Sequence, residues 1–130
     1  MQHEPKRIAK VQRWLDGVCA RMHVASRVIV DADPCEEGAH AQIHRGGMCF
    51  LLKLEEDFFA RPADFQRAVL VHELAHTYFS QMDDVHDAMV DARMSPVDAD
   101  TMRRLRLDAE HTAIERITNA LAPCMPLPRF

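Results

Sequence analysis

From Ala68 to Phe79 the chain has no proline, no glycine and a single acidic or basic residue, Glu73. Phe65, Val69, His72, His76 and Phe79 recur at steps of four, three, four and three, which is one stripe of a helix. Val71, Leu74 and Tyr78 make a second apolar stripe, so the spacing predicts a helix buried nearly all round. A small chain with such a helix must build its other elements around it. Inside that helix, two imidazoles and a carboxylate are costly unless something satisfies them, and a cation would do so. His72 and His76 stand one turn apart on one face, close enough for both rings to reach one ion. Glu73 projects beside that ion, where a carboxylate can hold a water molecule and take its proton.

The pattern is H-E-x-x-H, the signature of zinc hydrolases. The competing reading is a core helix whose histidines bond to backbone groups, and the buried carboxylate argues against it. A catalytic zinc site takes three protein ligands and leaves a position for water. In the last predicted helix Leu107, Glu110, Ile114, Ile117 and Leu121 repeat at three, four, three and four, so Glu110 is the ionisable residue on the apolar stripe. That makes Glu110 the expected third ligand, because a carboxylate pointing into a core needs a cation or a donor. His111 is rotated roughly 100° from it and suits a role as second-sphere donor or oxyanion stabiliser. His86 could ligate if residues 81–86 fold back as a loop. The metzincin arrangement is excluded, because Phe79 and Met82 stand where it needs glycine and histidine.

In chain order, Ile8, Val11, Leu15, Val18 and Met22 predict a first helix beginning just after Pro5. Arg27–Asp31 reads as a strand, His40–His44 as a half-exposed one and Met48–Leu54 as a third, more buried one, a meander leading to the motif helix. His40 and His44 share a strand face but lie roughly 13 Å apart along it, so they are expected to be surface histidines. Asp64 is the expected N-cap of the motif helix, which then runs from Phe65. Residues 83–92 suggest at most a short helix. Ser95-Pro96-Val97-Asp98 opens a long last helix to Leu121. The fold class is therefore α+β: an N-terminal helix, a small three-stranded sheet, the H-E-x-x-H helix and a long C-terminal helix carrying the third ligand. One domain spans 1–122, and the proline-rich 123–130 is expected to be an extended or mobile tail.

Length suits one domain with a real core. With 48% apolar and 28% charged residues and a net charge of −4, the composition is that of a soluble globular protein. It offers no broad surface for nucleic acid or membrane. Arg103, Arg104 and Arg106 are the one dense basic cluster, expected to be a solvated helix face. Cys19, Cys35, Cys49 and Cys124 are scattered without a C-x-x-C pair, which suggests free thiols in a reducing compartment. The polar N-terminus has no signal core after it, so the cytosol is the expected location.

His72, Glu73 and His76, with Glu110, Ala113, Leu121 and Pro123 on a later helix, resemble the ImmA/IrrE-type metallopeptidases, small gluzincin-like domains. The chain departs from that pattern at Ile114, where an acidic or amide residue is usual, and at Arg116, where an aromatic is. The resemblance implies a zincin-like fold in which His72, His76 and Glu110 bind zinc and Glu73 is the catalytic base. It also implies a cytosolic protease of a protein or peptide substrate, acting with a regulatory protein. Tyr78, His86 and His111 are the candidates for stabilising the oxyanion, with Tyr78 and His111 preferred. By analogy with zincins, the strand Met48–Leu54 would bind substrate by strand addition. Two other classes remain open: a catalytically silent zinc-containing binding module, and a deformylase-like hydrolase with Cys49 as a ligand. Retention of Glu73 argues against the first. The surroundings of Cys49 argue against the second.

Overall fold

The computed structural model describes residues 1–130 and is α+β. Helix α1 (Pro5–Met22) is followed by β1 (Arg27–Val30), β2 (Ala41–Gly46) and β3 (Cys49–Leu54). Then come α2 (Ala63–His76), α3 (Ser80–Arg93) and α4 (Pro96–Leu121). Proline at the first position starts α1, and Val11, Leu15, Val18 and Met22 form its buried stripe, as the spacing predicts. His23, at φ 55°, ends it in the left-handed conformation.

The sheet is mixed, in the order β1-β3-β2. This corrects the meander: only β2 and β3 form a hairpin, and β1 pairs parallel with β3. Gly47, at φ +64°, occupies the first of the two hairpin residues, where a II′ turn calls for glycine. Central β3 buries Phe50, Leu52 and Leu54 in strict alternation. The free edge of β1 is covered by one side chain of α1. Gln12 donates from Nε2 to the Val28 carbonyl at 2.8 Å, and its Oε1 accepts from the Val30 N–H at 2.8 Å. A single amide thus replaces a neighbouring strand and blunts that edge.

The core lies between α1, the sheet and α2, with Leu15, Leu52, Leu54, Phe58, Leu70 and Leu74 wholly buried. Helix α2 begins at Ala63, with Pro62 before it. Asp64 is therefore inside the first turn rather than the cap, where its charge still suits the helix dipole. Of the α2 residues only Asp64 is exposed, so the helix is indeed enclosed. It passes through a 3-10 turn (Thr77–Phe79) into α3, a full helix of 14 residues where only a short one is expected. Ser95 caps α4 by accepting from the Asp98 N–H at 3.3 Å. The C-terminal segment is not a loose tail. Met125 is buried, Trp14 Nε1 donates to the Pro126 carbonyl at 3.0 Å, and Phe130 lies edge-on to Trp14. No helix is long and apolar enough to cross a membrane.

Candidate metal centre

Helical phase alone brings His72 and His76 together, their ring centroids 5.1 Å apart. Ligand atoms of His72, Glu73 and His76 all lie within 4.8 Å of one another. The enclosing core sets their electrostatics. Burial, reinforced by the neighbouring imidazoles of His72 and His111, pushes the pKa of His76 down to about 4. Burial, with His111 again adding, lowers His72 as well. Both rings are therefore neutral, the form in which imidazole binds a metal. Burial raises Glu73 to about 7, against the opposing effect of one backbone hydrogen bond.

That bond comes from the sheet edge. The Ile43 N–H of β2 donates to Glu73 Oε2 at 3.1 Å. Glu55 N–H bonds to the His40 carbonyl at 3.0 Å, and alternation from that pair turns the backbone groups of Gln42 and His44 towards β3. The polar groups of Ala41, Ile43 and Arg45 consequently point out of the sheet. The strand flanking the site is thus β2, not β3: the expectation for Met48–Leu54 fails because β3 is central and paired on both sides. Two clefts meet at Glu73 along this edge. One, of about 380 Å³, has an apolar wall of Phe65, Ala68 and Val69 and reaches His72 and Glu115. The other, of about 460 Å³, is lined by His72, Glu73, His76, His111 and Asp83.

The remaining sequence candidates divide sharply. His111 stands over the pair, its ring centroid 6.1 Å from that of His72 and 5.9 Å from that of His76. Glu110 does not join the histidines. Its Oε1 is 3.8 Å from Arg106 Nε, and it lines a separate depression with Phe79, Met82, Asp83 and His86. The reason is the position of α4 against both α2 and α3. Ile114 and Thr118 are its buried anchors, whereas Leu107, expected on the stripe, is 51% exposed. The 100° between consecutive residues then turns His111 to α2 and Glu110 to α3. Burial and the adjacent Asp83 carboxyl raise the pKa of Glu110, with Arg106 opposing.

Tyr78 is not at the site either: its hydroxyl donates to the Met22 carbonyl at 2.5 Å, tying the end of α2 to the end of α1. His86 lies within an α3–α4 ion network, its Nδ1 3.3 Å from Arg106 Nη1. Arg106 is accordingly not on a solvated face, for it meets Asp83, Asp87 and Glu110. Arg103 pairs with Asp87 and Asp91, and only Arg104 stands on a solvated face, in an exposed pair with Asp100. Cys49 Sγ donates to the Gly46 carbonyl at 3.4 Å, within the hairpin, and all four cysteines are free thiols. Sequence reasoning missed Gln12, Ile43 and Asp83. For Asp83 a signal existed, since it lies seven residues, about two helical turns, beyond His76 and so on the same face. No family model matches the chain, and neither a curated protein nor a solved structure matches it.

Proposed function

We propose that this chain is a zinc-dependent metallopeptidase of zincin type that hydrolyses a peptide bond in a protein or peptide substrate. One observation carries the reading: two neutral imidazoles and a half-buried carboxylate converge within 4.8 Å beside the outward edge of β2. The donor set fits zinc, because imidazole nitrogen is among its preferred ligands and a third side chain can complete the set while leaving a water position. His72 and His76 would hold the ion. A bound zinc supplies Lewis-acid polarisation and lowers the pKa of water to roughly 7.

The rest is done by the protein's own groups. Glu73, set beside the two histidines and held by the Ile43 N–H, takes a proton from water as the water oxygen bonds to the carbonyl carbon. It then delivers that proton to the amide nitrogen as the carbon–nitrogen bond breaks. The outward backbone groups of Ala41 and Arg45, with the Ile43 carbonyl, align an extended substrate by adding it to the sheet, while the Ile43 N–H stays on Glu73. Phe65, Ala68 and Val69 receive an apolar side chain on one side of the scissile bond.

The experiment is cleavage of a diverse peptide mixture by zinc-loaded protein, followed by mass spectrometry. New termini in wild type and none with Glu73→Gln are expected. Equal cleavage by Glu73→Gln would overturn the mechanism. Zinc binding with no cleavage of any peptide would favour a silent binding module.

A further inference from the structure

We infer that the third protein ligand of this centre is His111, and that Glu110 is an α3–α4 ion-network residue outside the metal's first sphere. The inference rests on the proposed function, and it separates this chain from the two-histidine, one-glutamate set that its sequence pattern suggests.

The geometry is that of three rings around one point. A zinc–nitrogen bond of about 2.0–2.1 Å places each imidazole centre roughly 3.2 Å from the ion, and tetrahedral angles then put the ring centres roughly 5.2 Å apart. The observed separations are 5.1 Å for His72–His76, 6.1 Å for His72–His111 and 5.9 Å for His76–His111. One pair is already at the ligating distance; the centre of the third ring is about 1 Å beyond it, and its nitrogens lie outside the cluster of His72, Glu73 and His76, so ligation requires the His111 side chain to turn inward. His111 is exposed, so its side chain is not held in place by a surrounding core. It lines the same cleft as both histidines and Glu73.

The rivals are held elsewhere. Glu110 faces Arg106 across a depression that contains neither His72 nor His76. To reach the ion it would have to leave the guanidinium, and Arg106 would lose one of three carboxylate partners. Asp83 borders the cleft, but its Oδ1 lies 3.4 Å from Arg106 Nε. Glu115 borders the apolar cleft, which His76 does not line. Three neutral nitrogens would leave the bound ion its full double charge, which favours acidification of water more strongly than a set containing carboxylate.

Cobalt(II) titration of metal-free protein, read by visible absorption and by competition with a chelator, tests the assignment without relying on activity. Wild type should bind one equivalent with the intense bands of a four-coordinate ion. His111→Ala should bind at least 100-fold more weakly, with a changed spectrum. Glu110→Gln should match wild type in affinity and spectrum. Circular dichroism should show both variants folded, and His111→Gln provides a second variant that preserves side-chain volume. Loss of affinity in Glu110→Gln or Asp83→Asn, with none in His111→Ala and His111→Gln, would overturn the assignment while leaving the peptidase reading intact. Absence of cobalt binding in wild type would remove both.

Discussion

Glu73 carries the sharpest physical conflict in the molecule, an acid enclosed by a core yet required in its ionised form. Its folded pKa of about 7 lies above the ordinary 4.5, so the folded state holds a proton that the unfolded chain releases. The cost to metal-free protein is absent below about pH 4.5 and complete above about pH 7. His76 has the opposite sign: with a folded pKa of about 4 against 6.5, it costs stability as pH falls below 6.5. The two slopes oppose each other between pH 4.5 and 6.5, so metal-free wild type should show little pH dependence from them there. Chelator-treated Glu73→Gln, which keeps an acceptor for the Ile43 N–H, should exceed wild type by up to about 3 kcal/mol at pH 8. That advantage should vanish near pH 4, as urea denaturation at both values will show. Once zinc is loaded, the same variant should retain the metal and lose turnover by about 10²- to 10⁴-fold. Among site residues, His72, Glu73 and His76 were legible in the sequence because four-residue spacing on one helix needs no knowledge of the neighbours. The choice between Glu110 and His111 was not legible. It depends on which helix each side of α4 meets, and α3, with Val90 its one buried residue, announces itself weakly in the sequence.

At the scale of elements, α3 and α4 are joined by charge more than by apolar packing. Arg106, only 17% exposed at the side chain, serves Asp83, Asp87 and Glu110 together. Removing it leaves Asp83 and Glu110 without a cation while Asp87 keeps Arg103, so Arg106→Ala should destabilise the protein by about 1–2 kcal/mol. Arg104 meets Asp100 with both side chains 72% exposed, and Arg104→Ala should cost less than about 0.5 kcal/mol. Paired urea titrations at low salt compare the two directly, and equal losses would contradict the network. Its partial legibility follows from the same packing. Met82, Val85 and Met89 of α3 are exposed, so its apolar residues trace no core face and the periodicity looks weak. The strands themselves were readable, the second from alternation and the other two from short apolar runs between turn residues. Their order was not, because residues 31–40 carry no helix pattern to announce a parallel return.

For the whole molecule, the C-terminal segment closes the core that supports α2. Met125 belongs to the central apolar cluster, Phe130 packs against it, and Arg67 Nη1 donates to the Met125 carbonyl at 3.1 Å. Truncation after Ala122 should therefore lower stability by about 3 kcal/mol or more, measurable by thermal denaturation. Composition suggested a tail because three prolines disfavour α-helix there, but exclusion of helix does not prevent docking.

The most direct test is zinc content per chain, measured by elemental analysis after loading and gel filtration, for wild type and for His72→Ala/His76→Ala. One zinc per chain in wild type and none in the double variant is the predicted result. No retained zinc in wild type, or equal zinc in both proteins, would contradict a metal centre built on α2.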